Sequence, residues 1–397
     1  AAKDGSLAAL GLLIEKAEQG RGRFVSIADR AARWYVPIIH AVAAATFLGW
    51  WLGMGLAWQA ALVPAVAALI VTCPCGLAIA VPAVQVATVG ALFRRSVLVA
   101  SATALERLAS ADHVVLDKTG TLTMGHPTLV EDAARDHAAL RLAASMAHGS
   151  RHPLAQALVR ACPDAPALEG VVEVPGQGLR HGEVLLGSAV FCGVRDAEDS
   201  GMTLCLSSPG QVPALFRFAD ALRPDAARVV AELQALGLTT ELLSGDGAGA
   251  VEEAAIATGI GPWQARATPA DKAARIEALR QQGARPLMVG DGINDAAALA
   301  LAHVSASPAT GTDIAQATSD LVLRGDGLSA LPAAIRAARR AQRLAKQNIA
   351  FSLAYNIIAV PMAVLGFVTP LIAAVVMASS SIIVILNALR AGKETSQ

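Results

Sequence analysis

The stretch VVLDKTGTLT at 114–123 contains residue types that do phosphate chemistry. A short apolar strand delivers Asp117 to its carboxyl end. Lys118 and Thr119 follow, and Gly120 with the threonines forms a tight turn whose N–H groups can face a phosphate. A carboxylate there can attack a phosphoryl group and become an aspartyl phosphate. Three later segments supply the complementary groups. LSGD closes another strand with the Ser244 hydroxyl, the Gly245 amide and Asp246. Lys272, in TPADK, brings positive charge for the negative charge that develops during transfer. VGDGIND, at 289–295, follows a third strand and carries Asp291, Asn294 and Asp295. Asp117 and Asp291 together can hold one Mg²⁺, a hard cation that prefers carboxylates, water and phosphate oxygens. Each segment alone is an ordinary polar turn. In this order, each after a strand, they make a phosphoryl-transfer site.

Soluble phosphatases of the haloacid-dehalogenase type place a second carboxylate two residues after the nucleophile, as general acid/base. That position here is Thr119. Without the acid, hydrolysis of the intermediate should be slow, so the acyl phosphate can persist and store energy.

Strands alternating with helices position these groups. HVVLD, TTELLSGD and RPLMVGDG read as strands, and ARVVAELQALG and DKAARIEALRQQG as amphipathic helices. The alternation predicts a parallel sheet with functional groups at the carboxyl ends of its strands. Between about 130 and 215 the pattern changes to helices followed by short β segments with Gly and Pro turns, the mark of an inserted α+β domain.

The chain is 54% hydrophobic and 16% charged over 397 residues, too oily for one soluble domain. Four apolar runs, roughly 35–55, 60–93, 349–367 and 370–389, are each long enough to cross a bilayer. Arginines and lysines flank their inner ends (Arg30, Arg33, Arg94, Arg95, Arg336, Arg339, Arg340, Arg343, Lys346, Arg390, Lys393), which places both termini and the middle segment in the cytoplasm. Trp50 and Trp51 mark the far interface. A formal net charge of zero gives no reason to expect a nucleic-acid partner. Five cysteines in a chain this long are not a disulfide framework.

Two of those cysteines sit inside a membrane-length run, in VTCPCGLAIAVP at 71–82. On a regular helix Cys73 and Cys75 would point about 200° apart. Pro74 removes a backbone donor and forces a local distortion, so both sulfurs can face one site. Freed backbone at membrane depth is tolerated where it lines a cavity, and broken helices are where transporters bind ions. Soft thiolates suit Cu(I), Zn²⁺ and Cd²⁺.

DKTGTLT, GDGIND and the Cys-Pro-Cys run resemble the P-type ATPases that transport heavy metals, over nearly the whole chain. The resemblance implies that Asp117 is the phosphorylated residue and that Asp117, Asp291 and the Thr119 carbonyl bind Mg²⁺. SRHPLA resembles the subfamily's His-Pro nucleotide motif, which implies that His152, beside Pro153, contacts the adenine of ATP. PGQGL resembles its Gly-x-Gly loop, placing Gly176 and Gly178 at the nucleotide, and LLGSA places Gly187 near the phosphates. Tyr355 with Asn356, and Met377 followed by Ser381, accompany Cys-Pro-Cys in copper exporters. Zinc members carry a late Asp or Lys, and none occurs between 349 and 389. HAVAAATFLGW and VTPLIAA look most like bacterial copper pumps that serve cytochrome oxidase assembly. Three departures stand out: Ser244 where Thr is usual, Ala297 where Pro is usual, and Ala147 where copper pumps often have Glu.

The resulting architecture is a set of α-helical membrane spans plus a haloacid-dehalogenase-like α/β phosphorylation domain with an inserted α+β nucleotide-binding domain. The boundaries are 1–34 for a cytoplasmic lead-in helix, 35–93 for the first transmembrane pair and 94–129 for the first part of the phosphorylation domain. Residues 130–215 form the nucleotide-binding domain, 216–347 the second part of the phosphorylation domain, and 348–397 the last transmembrane pair and tail. No Thr-Gly-Glu actuator loop occurs in the sequence. The expectation is therefore a C-terminal portion of a pump that exports Cu(I) or Ag(I) with ATP and Mg²⁺ across a bacterial inner membrane. Its partners would be the lipid bilayer and a copper chaperone or the missing N-terminal half. Two other readings stay open: a non-pumping metal-binding remnant, and a membrane-tethered phosphatase.

Overall fold

A computed structural model describes residues 27–73, 75–101, 103–130, 136–194, 202–325 and 327–392, with side chains among them except at 27–36, 75–78 and 293. The lead-in expected over 1–34 lies largely outside these residues. The described chain forms two compact units, one between Ala111 and Pro332, the other up to Ser110 and from Ala333 onward.

The second unit is helical. Its helices are Ile27–Leu48, Trp58–Val71, Cys75–Arg94, Ala104–Ser110, most of Ala330–Val364, and Pro370–Leu389, with one short strand, β1 (Val97–Val99). Ala330–Val364 and Pro370–Leu389 are long and apolar enough to cross a membrane. They present Leu353, Ile357, Ile358, Leu371, Ile383 and Leu386 outward. Water would penalise that surface and lipid does not, so the protein is an integral membrane protein. The 60–93 run is divided at 72–74: one helix ends at Val71 and the next starts at Cys75. Thr72 satisfies the freed end, its hydroxyl donating to the Ala68 and Leu69 carbonyls at 2.7 and 3.1 Å. Residue 74 lies outside the described residues. The helix Pro370–Leu389 packs against both halves of the break. Small residues make that approach possible: Ala67, Ala68, Ala363 and Ala373 are fully buried together with Val71. Asn348 ties three helices, donating to the Ala80 and Val384 carbonyls at 3.4 and 3.3 Å and accepting from Asn387 at 2.8 Å.

Residues 94–110 and 333–347 group with the helical unit. The physical reason is helix continuity. Ala330–Val364 is one helix of 35 residues, about 52 Å at 1.5 Å per residue, well beyond a hydrocarbon core of about 30 Å. Its basic first half simply extends out of the apolar layer.

The first unit contains two sheets. In one, β2 (His113–Asp117), β9 (Thr239–Leu243), β10 (Trp263–Gln264), β11 (Pro286–Val289), β12 (Val304–Pro308) and β13 (Leu321–Leu323) are all parallel, in the order β13-β12-β11-β2-β9-β10. Central strands of such a sheet are covered on both faces and read as unbroken apolar runs. Val114, Val115, Leu116, Leu287, Met288 and Val289 are accordingly fully buried. The helix Pro269–Gln281 covers this sheet through Ile276 and Leu279. It is also clamped by Arg275, whose guanidinium donates to Glu241 on β9 at 2.8 and 3.0 Å. The other sheet is antiparallel. It comprises β3 (Thr128–Leu129), β4 (Val172–Val174), β5 (Gly178–His181), β6 (Val184–Gly187), β7 (Met202–Ser207) and β8 (Ala214–Ala219), in the order β3-β8-β7-β6-β5-β4. The helices His137–Ala147 and Pro153–Ala161 pack on it around Leu140, Met146, Leu158, Leu186 and Phe216. This is the inserted α+β lobe, and its strands extend the 130–215 boundary to 128–219.

Phe216 is the largest side chain fully buried in the lobe. Phe216→Ala should cost about 3–5 kcal/mol, read as a lower midpoint for the lobe in thermal or denaturant unfolding. A shift equivalent to less than about 1 kcal/mol would contradict this placement of the core.

Candidate active site

The parallel sheet brings three loops to one point. Asp117 ends β2, whose neighbours on either side are β9 and β11; in register, Asp117 pairs with Leu243, and Leu116 with Val289. The loops after β9 and β11 therefore leave beside Asp117 and carry Ser244–Asp246 and Asp291–Asp295. This is the position where an open parallel sheet binds its ligand.

Lys272 reaches the same point from the first turn of its helix, which Thr268 and Asp271 start with a reciprocal capping box and Pro269 at the first position. Its Nζ lies 2.5 Å from Asp117 Oδ1 and 2.7 Å from Asp295 Oδ1. Asp117, Lys272 and Asp295 are all buried. Asp117, Asp291 and Asp295 offer carboxylate oxygens within 4.8 Å of one another. Three carboxylates thus share one ammonium, and the electrostatics show the excess. Burial, then Asp295, pushes the Asp117 carboxyl up to about 8, against the pull of Lys272. Burial and Asp295 push Asp291 up to about 6. Burial works against the Lys272 charge, yet Asp117 and Asp295 hold its ammonium above the usual lysine value. An all-oxygen donor set carrying unbalanced negative charge fits Mg²⁺.

The turn after Asp117 is built around a close approach. Gly120 has φ +69°, and a Cβ there would fall 1.6 Å from Asp291 Oδ2. Only glycine permits both the left-handed backbone and the contact. Gly290 and Gly311 are similarly constrained: an added Cβ would lie 2.7 Å from the Asp295 carboxylate and 2.8 Å from the Asp291 carbonyl oxygen. Thr123 closes the turn, accepting the Gly120 N–H at 3.0 Å and donating to Asp220 at 2.5 Å. Lys118 pairs with Asp246 at 2.6 Å, and the Thr119 hydroxyl donates to the same carboxylate at 3.2 Å. Ser244 is buried, its hydroxyl accepting the Asp246 N–H at 3.2 Å. Gly245 adjoins it without steric strain, and Asn294 is exposed.

Sequence reading missed the residues that hold this turn. Arg223 is buried and donates to the Thr121 and Gly120 carbonyls at 2.8 and 3.1 Å. Asp220 and the Thr310–Thr312 loop also support it, the Thr312 N–H donating to the Asp291 carbonyl at 2.7 Å. The one available signal was Arg223 in an otherwise apolar approach to a helix, ALRPDAARVV.

In the α+β lobe a cavity of about 330 Å³ is lined by His152, Gly176, Gly178 and Gly187 together with Ser150, Glu173, Gln177 and Ser188. Gly178 and Gly187 face each other across β5 and β6, and a Cβ on either would meet opposing backbone at 2.3 Å. His152 caps its helix, its Nδ1 accepting the Leu154 N–H at 3.3 Å. Pro153 is not among the lining residues; it fixes the first helical position. Ala147 is buried in the lobe core.

In the helical unit Cys73 is half-buried and disulfide-bonded, so ligation by its thiolate needs the reduced protein. The side chain of Cys75 lies outside the described residues. Tyr355 packs with Ala67, Ala68 and Val71, just before Cys73, and Asn356 is half-buried beside it. On the last helix Met377 is half-buried, and the Ser381 hydroxyl donates to the Met377 carbonyl at 3.2 Å.

The chain is similar to known proteins in sequence and in fold. Residues 111–303 match the family model described as haloacid dehalogenase-like hydrolase. The chain is 48% identical over 399 residues to the nitrogen fixation protein FixI of Rhizobium leguminosarum, across 98% of this chain and 52% of that protein. It is 34% identical over 423 residues to a copper-exporting P-type ATPase of Bacillus subtilis, again across 98% of this chain and 52% of that protein. The chain thus spans about half the length of these relatives. A crystal structure of a zinc-transporting PIB-type ATPase in the E2.Pi state superposes with a TM-score of 0.78 at 31% identity, covering 97% of this chain and 67% of that one.

The crowded carboxylates predict a pH-dependent stability. Asp117 titrates near 3.8 when unperturbed and near 8 in the folded site. Folding takes up a proton between those values, so metal-free protein should lose stability as pH rises through that window. Asp117→Asn removes the burden and should raise the melting temperature in EDTA at pH 7 by a few degrees, about 1 kcal/mol or more. The gain should shrink with Mg²⁺. A lower melting temperature for Asp117→Asn in EDTA would contradict the charge-excess account.

Proposed function

The chain belongs to the heavy-metal-transporting P-type ATPases, and from that premise we propose that it uses ATP to drive export of Cu(I) through an aspartyl-phosphate intermediate. The observation that carries the reading is the Asp117 carboxylate at the end of β2, beside the Lys272 ammonium at 2.5 Å and the carboxylates of Asp291 and Asp295. Asp117 is the attacking group. Lys272 offsets charge on the transferring phosphoryl oxygens, and transfer depends on positioning and electrostatics rather than further covalent chemistry. Asp117, Asp291 and the Thr119 carbonyl would hold Mg²⁺, which supplies the remaining positive charge on the phosphate. With Thr119 in place of an acid, the chain's own residues give no general base two positions after the nucleophile, and the intermediate persists.

ATP is held by the α+β lobe in this reading. Because His152 Nδ1 accepts the Leu154 N–H, the neutral ring carries its proton on Nε2, a donor suited to an adenine nitrogen. The glycine pair lets β5 and β6 approach each other closely beside the cavity.

Cu(I) is favoured over Zn²⁺ by the donors available. Cys73, Cys75 and Met377 are soft, Tyr355, Asn356 and Ser381 are neutral, and no charged residue occurs between 349 and 389. A neutral sulfur-rich site suits a monovalent soft ion. The relatives' names point both ways, to copper export and to zinc transport.

Two measurements test this. The reduced chain should bind Cu(I) or Ag(I) in preference to Zn²⁺, and Cys73→Ser or Cys75→Ser should each remove one bound equivalent. Unchanged stoichiometry in the double Ser variant would take the broken helix out of the account. Separately, His152→Gln should weaken ATP affinity by about tenfold, the loss of one hydrogen bond or stacking contact, while inorganic phosphate still reacts with Asp117. Loss of both reactivities together would contradict a purely nucleotide-binding role.

A further inference from the structure

A buried hydroxyl in the membrane unit is left unused by the packing around it. Ser352, on the helix Ala330–Val364, is 4% exposed, and its Oγ is buried with no hydrogen-bond partner among the described residues. A serine or threonine inside a helix can satisfy its hydroxyl at the carbonyl four residues back. Thr46, Thr72, Thr88, Ser379 and Ser381 all do so in this unit, at distances between 2.7 and 3.2 Å. Ser352 has the Asn348 carbonyl in the same place and does not use it. An unpaired hydroxyl away from water is costly, so a serine serving only as a small packing residue would take the bond within reach.

The position of Ser352 shows what it faces. Asn348, Ser352 and Tyr355 follow one another at intervals of four and three residues, which puts them on one face of the helix. Asn348 donates to the Ala80 carbonyl, on the helix that starts at Cys75. Tyr355 packs with Ala67, Ala68 and Val71, on the helix that ends at Val71. Ser352 is bracketed by these two contacts and so stands level with the division between Val71 and Cys75, the segment that carries the two sulfurs.

We propose that the Ser352 hydroxyl donates a hydrogen bond to a Cys73 or Cys75 thiolate that holds a soft monovalent ion, and so strengthens ion binding at the broken helix. A hydroxyl oxygen is a poor direct ligand for a soft ion, but its O–H suits the charge on a metal-bound sulfur. Two thiolates on one monovalent ion leave one net negative charge, and a donor counts for most in surroundings of low dielectric. Partners of this kind orient a metal ligand and tune its hold on the ion. Ser352 is thus a positioning residue that acts through sulfur. The inference rests on the reading of the broken helix as the ion site.

The test compares Ser352→Thr, which keeps the hydroxyl, with Ser352→Val, which has nearly the same shape without it. Each reduced full chain, in lipid nanodiscs and halide-free buffer, is titrated with Ag(I). The signal is the thiolate-to-metal absorption that disappears in the Cys73→Ser, Cys75→Ser double variant. Ser352→Val should bind Ag(I) about tenfold more weakly than Ser352→Thr, the common cost of removing a partner that orients a metal ligand, with stoichiometry unchanged. Its absorption should move to longer wavelength, because loss of the donor raises the energy of the sulfur electrons. Ser352→Ala should follow Ser352→Val, yet melt without Ag(I) at or above the temperature of the unsubstituted chain, since it removes an unpaired buried hydroxyl. Equal affinity and coincident absorption in the Thr and Val variants would overturn the proposal. Weaker Ag(I) binding by Ser352→Ala together with a lower melting temperature without the ion would overturn it too, in favour of a packing role. Absence of the absorption from the unsubstituted chain would sink the ion-site reading and this inference with it, whereas failure of the inference alone leaves absorption and stoichiometry in place.

Discussion

Lys272 Nζ lies between Asp117 and Asp295, at 2.5 and 2.7 Å, with Asp291 close enough to share the same small volume. Burying charges costs several kcal/mol each, and removing the single ammonium would leave the carboxylates around it uncompensated. The cluster is therefore tolerable only while Lys272 is held in place. A clamp some distance away does that holding. Arg275, three residues along the same helix, makes two hydrogen bonds to Glu241 on β9, and Glu241 also meets His113 at 3.1 Å at the start of β2. Those bonds draw the Glu241 carboxyl below its usual range, although burial alone would raise it. The helix that carries Lys272 and the strand that carries Asp117 are thus tied to each other through Glu241.

The negative excess that remains is a functional property rather than a defect. A site with its charge fully balanced would gain little from a divalent cation and an incoming phosphate. Here the raised carboxyls of Asp117 and Asp291 leave positive charge still to be supplied. The glycines complete the arrangement sterically. Gly120, Gly290 and Gly311 let three backbone segments approach the acidic groups at distances that any side chain would block. This close packing concentrates charge at the carboxyl ends of the strands, next to the buried apolar residues of β2 and β11.

Much of this was legible in the sequence because the chemistry follows strand ends. Asp117, Ser244 and Asp291 each stand at or just after the end of a short strand, HVVLD, TTELL and PLMV, and a parallel sheet gathers such ends. Lys272 was legible through its place at a helix start. Arg223 and Asp220 were not, since nothing local tells a buried arginine that binds carbonyls from an exposed one. The continuity of the helix Ala330–Val364 was not legible either, because its basic half and its apolar half differ in composition while sharing one backbone helix.

In the proposed reading the membrane unit follows a parallel logic: the division between the helices that end at Val71 and start at Cys75 would let sulfurs share one ion that a regular helix would hold apart. Both units, however, depend functionally on whether Asp117 takes up phosphate. The most direct measurement incubates the chain with γ-labelled ATP and Mg²⁺, quenches it in acid, and maps the labelled peptide. The account predicts an acid-stable, hydroxylamine-sensitive phosphoryl group on Asp117 that is absent from Asp117→Asn and from Mg²⁺-free samples. Label on any other residue, or label retained in Asp117→Asn, would contradict it.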